Sequence, residues 1–138
     1  MVIVDTSAWI EFFRNSASPV VHDVDVCLER NLVGIGDLIY CELIQGIKLK
    51  NERERVSSLL LSLPQYDMVG FRIAEKAADN YRLLQSKGLT ISKTIDVIIG
   101  TFCSENGFTL IHNDRDFDAM ASAIKLRTYT MLTNGGKG

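Results

Sequence analysis

The sequence predicts a three-layer α/β/α sandwich with a central, mainly parallel sheet. Three observations lead there. Short apolar, β-branched runs such as "MVIV", "LVGIG" and "FTLIH" recur along the chain, each followed by a longer stretch of helical periodicity. Strands alternating with helices in this way favour parallel pairing, with the connecting helices laid over both faces of the sheet. With 138 residues, 46% hydrophobic and 23% charged, the chain suits one domain with a single core.

The elements follow in order. "MVIV" is a strand that stops at Asp5, and "SAWIEFFR" is a helix with Trp9, Phe12 and Phe13 largely on one side. That aromatic stripe could offer a partner an apolar groove, but at helical spacing it reads first as core, Phe13 above all. "PVVHDVDVCLER" is a second helix, begun by Pro19 and striped by Val20, Val24, Cys27 and Leu28. "LVGIGD" gives a strand, after which Asp37 caps a helix "LIYCELIQGIKLK" that carries Glu42 among apolar neighbours. "ERERVSSLLLSL" is helical up to Pro64, and "YDMVGF" is the next strand. A long amphipathic helix runs from about Arg72 to Gly88, a left-handed stop. In "ISKTIDVIIGTFCSENG", Ser92 is the expected cap of an apolar helix that Asn106 and Gly107 end. "FTLIH", "DFDAMASAI" and "LRTYTML" complete the pattern as strand, helix and strand, so the domain spans residues 1–132 and "TNGGKG" at 133–138 is a flexible tail.

Composition excludes several classes. No apolar run approaches the ~20 residues of a membrane span, and the start lacks the layout of a secretory signal, which predicts a cytoplasmic protein. Cys27, Cys41 and Cys103 are odd in number, far apart and in apolar surroundings, as free buried thiols would be. The net charge of −2 is unevenly spread: residues 48–93 carry nine Lys/Arg against five Asp/Glu, leaving the rest acidic. That suits a basic face beside an acidic pocket, and equally a set of solvated helix surfaces.

The acids demand an explanation. Asp5 and Asp114 each follow a short strand, at the sheet edge where parallel folds bind ligands. Asp96 stands near the start of an apolar helix, and Glu42 is isolated among "LIYC" and "LIQG". Taken singly, each has a plain structural role: Asp5 or Ser7 as a cap, Asp96 as a partner of the helix dipole, Glu42 in an ion pair. In "HNDRDFD", Asp118 reads as a solvated or capping residue, and Asp116 as ligand, cap or neither. Taken together, four carboxylates from distant segments could meet at one spot. Two carboxylates ~4 Å apart repel by ~4 kcal/mol at an effective dielectric near ~20, and a divalent cation relieves this. Mg²⁺ and Mn²⁺ prefer oxygen ligands and retain sites for phosphate and water, which is the equipment of phosphodiester hydrolysis.

"IVDTSAWIEF", "CELIQG", "KTIDVIIGTFC" and "HNDRDFD", in this order, resemble the four acidic motifs of PIN-domain ribonucleases, specifically VapC-type toxins of toxin–antitoxin systems. The resemblance spans essentially the whole chain and implies a PIN-like sandwich. It implies that Asp5, Glu42, Asp96 and Asp114 hold Mg²⁺ or Mn²⁺ and position the hydrolytic water, with Asp116 at a fifth, often acidic, position. Thr6 or Ser7 matches a small hydroxyl position that donates to the carboxylates. With Lys93 and Arg115, which could meet substrate phosphate or be ordinary solvated charges, these are the substrate-side candidates. The resemblance further implies an RNA substrate, a homodimer and a VapB-type antitoxin. His22 and His112 receive no catalytic role. A receiver-like domain is the rival reading, but it wants paired acids after the first strand and an acid after the third. A haloacid-dehalogenase-type phosphatase wants an acid at position 7, which is Ser7. A PIN-like module that only binds is a third reading, against which the intact acidic set argues.

Overall fold

The computed structural model describes residues 1–91 and 93–129. Its sheet contains β1 (Val2–Val4), β2 (Val33–Gly36), β3 (Gln65–Tyr66), β4 (Thr109–Ile111) and β5 (Arg127–Thr128), in the order β3-β2-β1-β4-β5. Every pairing is parallel, with Val2 opposite both Val33 and Thr109. β1 and β2 are buried along their whole length. That is why they read as unbroken apolar runs rather than as an alternation.

Between β1 and β3 the chain adds strands in one direction, through α1 (Thr6–Phe13), α2 (Pro19–Glu29), α3 (Asp37–Gln45) and α4 (Lys50–Leu61). It then returns past β1 through α5 (Gly70–Ser86) and α6 (Thr94–Asn106) to β4, and reaches β5 through α7 (Arg115–Ala121). Right-handed crossovers place helices made in opposite directions on opposite faces. The packing agrees: α1 lies against α2 and α3, α3 against α4, α5 against α6, and α6 against α7. The direction of strand addition reverses between β1 and β4, so the crevice at their carboxyl ends is the switch point where open parallel sheets take ligands.

The core fills both interlayer spaces. Trp9 is wholly buried and stacks on Phe13, so the aromatic stripe of α1 belongs to the core. Tyr66, Phe102 and Phe108 form a second aromatic group on the other side. Asn80 Nδ2 donates to the buried Thr101 Oγ1, linking α5 to α6. Gly36 is closely packed: a Cβ there would stand 2.2 Å from Sδ of the buried Met68, whose side chain would have to shift. Cys27 and Cys103 are buried free thiols, whereas Cys41 is exposed, because α3 turns it outward.

Several expected boundaries move. The helix expected to run through Gly46 ends at Gln45, and a new helix starts at Lys50. Asp37 is the first helical residue rather than the cap, a position that Gly36 holds. Its carboxylate accepts from the N–H groups of Leu38 (2.8 Å) and Met68 (3.1 Å), tying the start of α3 to the loop after β3. The strand expected over "YDMVGF" is confined to Gln65–Tyr66, and α5 begins at Gly70 instead of Arg72. Gly88 and Gly107 have the left-handed backbone expected of helix stops, with φ of 75° and 67°. The expected Ser92 cap and the tail at 133–138 lie outside the described residues, as does the last strand beyond 129.

Candidate metal centre

The site begins where β1 ends. Asp5 N–H donates to Ile111 O (2.8 Å), clamping the carboxyl ends of β1 and β4 together. Asp5 is the N-cap of α1, and its Oδ2 accepts from Ser7 N–H (3.0 Å) and Ser7 Oγ–H (2.6 Å). The same Ser7 Oγ accepts from the N–H of Asn113, 106 residues away, at 2.9 Å. One hydroxyl thus joins the first acid to the loop that carries Asp114.

Asp114 mirrors Asp5. It caps α7 through Oδ1, which accepts from Asp116 N–H at 2.9 Å. Its own N–H donates to His112 Nδ1 at 3.2 Å, which leaves the ring proton on Nε2, 3.4 Å from Asp118 Oδ1. His112 is only 8% exposed in its side chain and rests beside Phe117, so the ring holds the loop rather than meeting solvent. His22, by contrast, is a surface residue.

Asp96 lies in the first turn of α6, just 5% exposed, where the helix dipole favours a negative charge. Its Oδ2 is buried with no hydrogen-bond partner among the described residues. Burial, then the charges of Asp5 and Asp114, push its carboxyl up to about 7, with Lys93 opposing and Glu42 adding to the rise. Burial also raises the Asp5 carboxyl, against the hydrogen bonds from Ser7. Glu42 approaches from α3, half-buried, and its Oε1 accepts from Thr6 Oγ–H at 2.9 Å. Both hydroxyls left open as alternatives are therefore used, Ser7 on Asp5 and Thr6 on Glu42.

Asp96, Asp114 and Asp116 each bring a carboxylate oxygen to within 4.8 Å of the other two. Asp5 and Glu42 stand outside that trio but close enough for their charges to be felt at Asp96. An all-oxygen donor set with an unpartnered buried carboxylate oxygen fits a hard divalent cation. Lys93, at the N-cap of α6 three residues before Asp96, and Arg115, first residue of α7 next to Asp114, are both exposed. Asp118 is 70% exposed in its side chain and sits in the first turn of α7, as expected of a solvated helix-start residue. What the sequence did not disclose are the partners: Asn113 for Ser7, and His112 for Asp114. The first joins residues far apart in the chain, and nothing local marks it.

The sequence model of the PIN domain matches residues 2–123. VapC ribonuclease Mb1587 of Mycobacterium bovis and ribonuclease VapC11 of Mycobacterium tuberculosis are each 30% identical to this chain over 132 residues, covering 92% of it and 96% of themselves. Among solved structures, VapBC2 from Rickettsia felis bound to a promoter DNA fragment superposes with a TM-score of 0.73 at 17% identity, covering 94% of this chain and 98% of that one. DNA-bound VapBC from Salmonella typhimurium gives 0.72 at 20% identity, over 93% and 96%. The chain belongs to the PIN domain family, and within it resembles VapC ribonucleases. Among the described residues no helix is long and apolar enough to cross a membrane.

Proposed function

We infer that this protein is a metal-dependent endoribonuclease, the toxin of a toxin–antitoxin pair, acting in the cytoplasm. The observation that carries the reading is Asp96: a buried carboxylate oxygen without a partner, in a crevice that also gathers Asp5, Glu42, Asp114 and Asp116. Asp96, Asp114 and Asp116 would hold the cation, Mg²⁺ or Mn²⁺, with Asp5 and Glu42 completing the acidic surround. A cation bound there supplies charge that polarises the phosphate and acidifies a water. The chain supplies position. Ser7 fixes one oxygen of Asp5 and Thr6 fixes Glu42, so neither carboxylate has to be reoriented as substrate arrives. Lys93 and Arg115 flank the acids and orient the substrate phosphates, which the acids alone would repel.

Structures similar to this chain include VapBC complexes, and they support a VapB-type antitoxin over the crevice as its partner; a homodimer is the assembly proposed beside it. The test is cleavage of total cellular RNA by antitoxin-free protein, with Mg²⁺, with Mn²⁺ and with EDTA, beside Asp96→Asn. Discrete fragments that need the metal and vanish in the variant support the reading. Indistinguishable behaviour of two folded proteins under every condition would reject it.

A further inference from the structure

Beside Asp114 a cleft of about 300 Å³ opens between the start of α2, the segment after β4 and the end of β5. Pro19, Val20 and Tyr129 make its apolar walls, and Asn113, Arg115 and Asp118 are among its polar groups. Its volume is at the small end of ligand sites, enough for a single nucleoside. Because Asp114 belongs both to the acidic trio and to the cleft wall, a phosphate at the cation would direct the adjoining nucleotide into it.

We propose that this cleft is a nucleobase subsite beside the scissile phosphate, and that Asp118 reads a guanine there. The proposal rests on the nuclease reading above and adds its base preference. Three features support it. Asp118 Oδ1 lies 3.4 Å from His112 Nε2, and His112 is itself oriented by the Asp114 N–H, so one carboxylate oxygen faces an ordered ring while 70% of the side chain remains accessible. An ionised carboxylate offers two acceptors and no donor. On its Watson–Crick edge only guanine sets two donors, N1–H and the N2 amino group, side by side. Adenine, cytosine and uracil each interleave a donor with acceptors that a carboxylate would repel. Tyr129 contributes the aromatic wall that unstacked bases favour, and its hydroxyl is engaged by the Cys27 thiol, which fixes the ring. Arg115, on the same rim, is placed for the phosphate.

The experiment uses short single-stranded RNAs with each base in turn on either side of one cleavable phosphate, and inosine, which lacks the N2 amino group, in place of guanine. Wild type, Asp118→Asn and Asp118→Glu are compared by kcat/KM in Mn²⁺, with melting midpoints as a folding control. Guanine at one flanking position should be preferred, and inosine there should cost wild type about tenfold to a hundredfold, the range of a bidentate base contact. Asp118→Asn should lose a similar factor on guanine and no longer distinguish inosine, and Asp118→Glu should recover part of the preference. Unchanged base preference in folded Asp118→Asn overturns the proposal, as does wild-type cleavage indifferent to both flanking bases. So does a variant that keeps its preference yet binds an arginine-bearing peptide more weakly, which would make the cleft a protein-docking site. If wild type cuts none of these short RNAs, the nuclease reading is decided by the total-RNA assay above, and the subsite by GMP against IMP binding. Equal affinity for both then rejects it.

Discussion

Replacing Asp96 by asparagine should flatten the pH dependence of stability in the metal-free protein and remove most of its response to a divalent cation. Burial, helped by Asp5 and Asp114, lifts the Asp96 carboxyl from 3.8 to about 7. Between those values the folded chain keeps a proton that the unfolded chain has released, so stability falls as pH rises. The stabilisation is complete below 3.8 and gone once the pH has passed the folded value. At about 1.4 kcal/mol per pH unit the whole effect is on the order of 4 kcal/mol, of which about 2 kcal/mol falls between roughly pH 5.5 and 8. For a chain of this size a kcal/mol moves the midpoint by roughly 3–5 °C, so this group alone lowers the melting temperature by roughly 6–10 °C across that interval. Asp5, also raised by burial, acts in the same direction and is common to both proteins. The assay is thermal unfolding in EDTA at several pH values, then at pH 8 with Mn²⁺. Cation at about a hundred times its Kd restores about 2.7 kcal/mol to wild type and much less to the variant. Parallel slopes in EDTA, together with equal Mn²⁺ shifts, would refute the idea that Asp96 is the strained member of the set.

Three further outcomes follow. Ser7→Ala breaks the bridge between Asp5 and Asn113 and should lower Mn²⁺ affinity by about ten- to a hundredfold in calorimetric titration; unaltered affinity would mean that the crevice holds its shape without it. Asp114→Asn keeps a residue that caps as well as aspartate, so its melting temperature in EDTA should stay near wild type while cation binding and RNA cleavage collapse. Loss of stability on the scale of a missing cap, about 1 kcal/mol, would count against this separation. Gly36→Ala forces a Cβ against Met68 Sδ and should cost about 1–3 kcal/mol in urea unfolding, with cleavage per folded molecule little changed.

The parts of the fold legible in the sequence were those decided by local signals. Pro19 at the start of α2 and Gly107 after α6 act through their own backbones, and both elements lie where those residues put them. The errors cluster around β3, where long-range contacts decide. Asp37 looked like a cap for α3, but its carboxylate also holds the Met68 N–H, 31 residues on, as the chain leaves the sheet after only two paired residues. Gly46 sits in an apolar run whose periodicity continues through it, so the sequence offered little reason to stop α3 at Gln45. At the site, the gathering of the acids could be anticipated because Asp5 and Asp114 end strands while Asp96 and Glu42 stand among apolar neighbours, a set with few structural excuses as a group. Their supports could not be, because the Ser7 hydroxyl finds Asn113 only after the sheet brings β1 and β4 together.

The choice between helix cap and metal ligand, which each aspartate presents when taken alone, dissolves in the geometry. A cap engages one carboxylate oxygen: Oδ2 of Asp5 takes Ser7, and Oδ1 of Asp114 takes Asp116 N–H. The backbone bond has already selected the rotamer of each, and Asp114 still brings a carboxylate oxygen to the group with Asp96 and Asp116. A strand that runs directly into a helix therefore puts a cap position and a candidate ligand position in one residue, at the edge of the sheet where the helix start favours negative charge. Asp96 differs, since its Oδ2 has no such bond and is buried beside the charges that Asp5 and Asp114 bring. Repulsion that the capped pair can partly relieve is concentrated on this uncapped acid. Cation dependence should accordingly be read most clearly at Asp96, while the capped acids set where the cation sits.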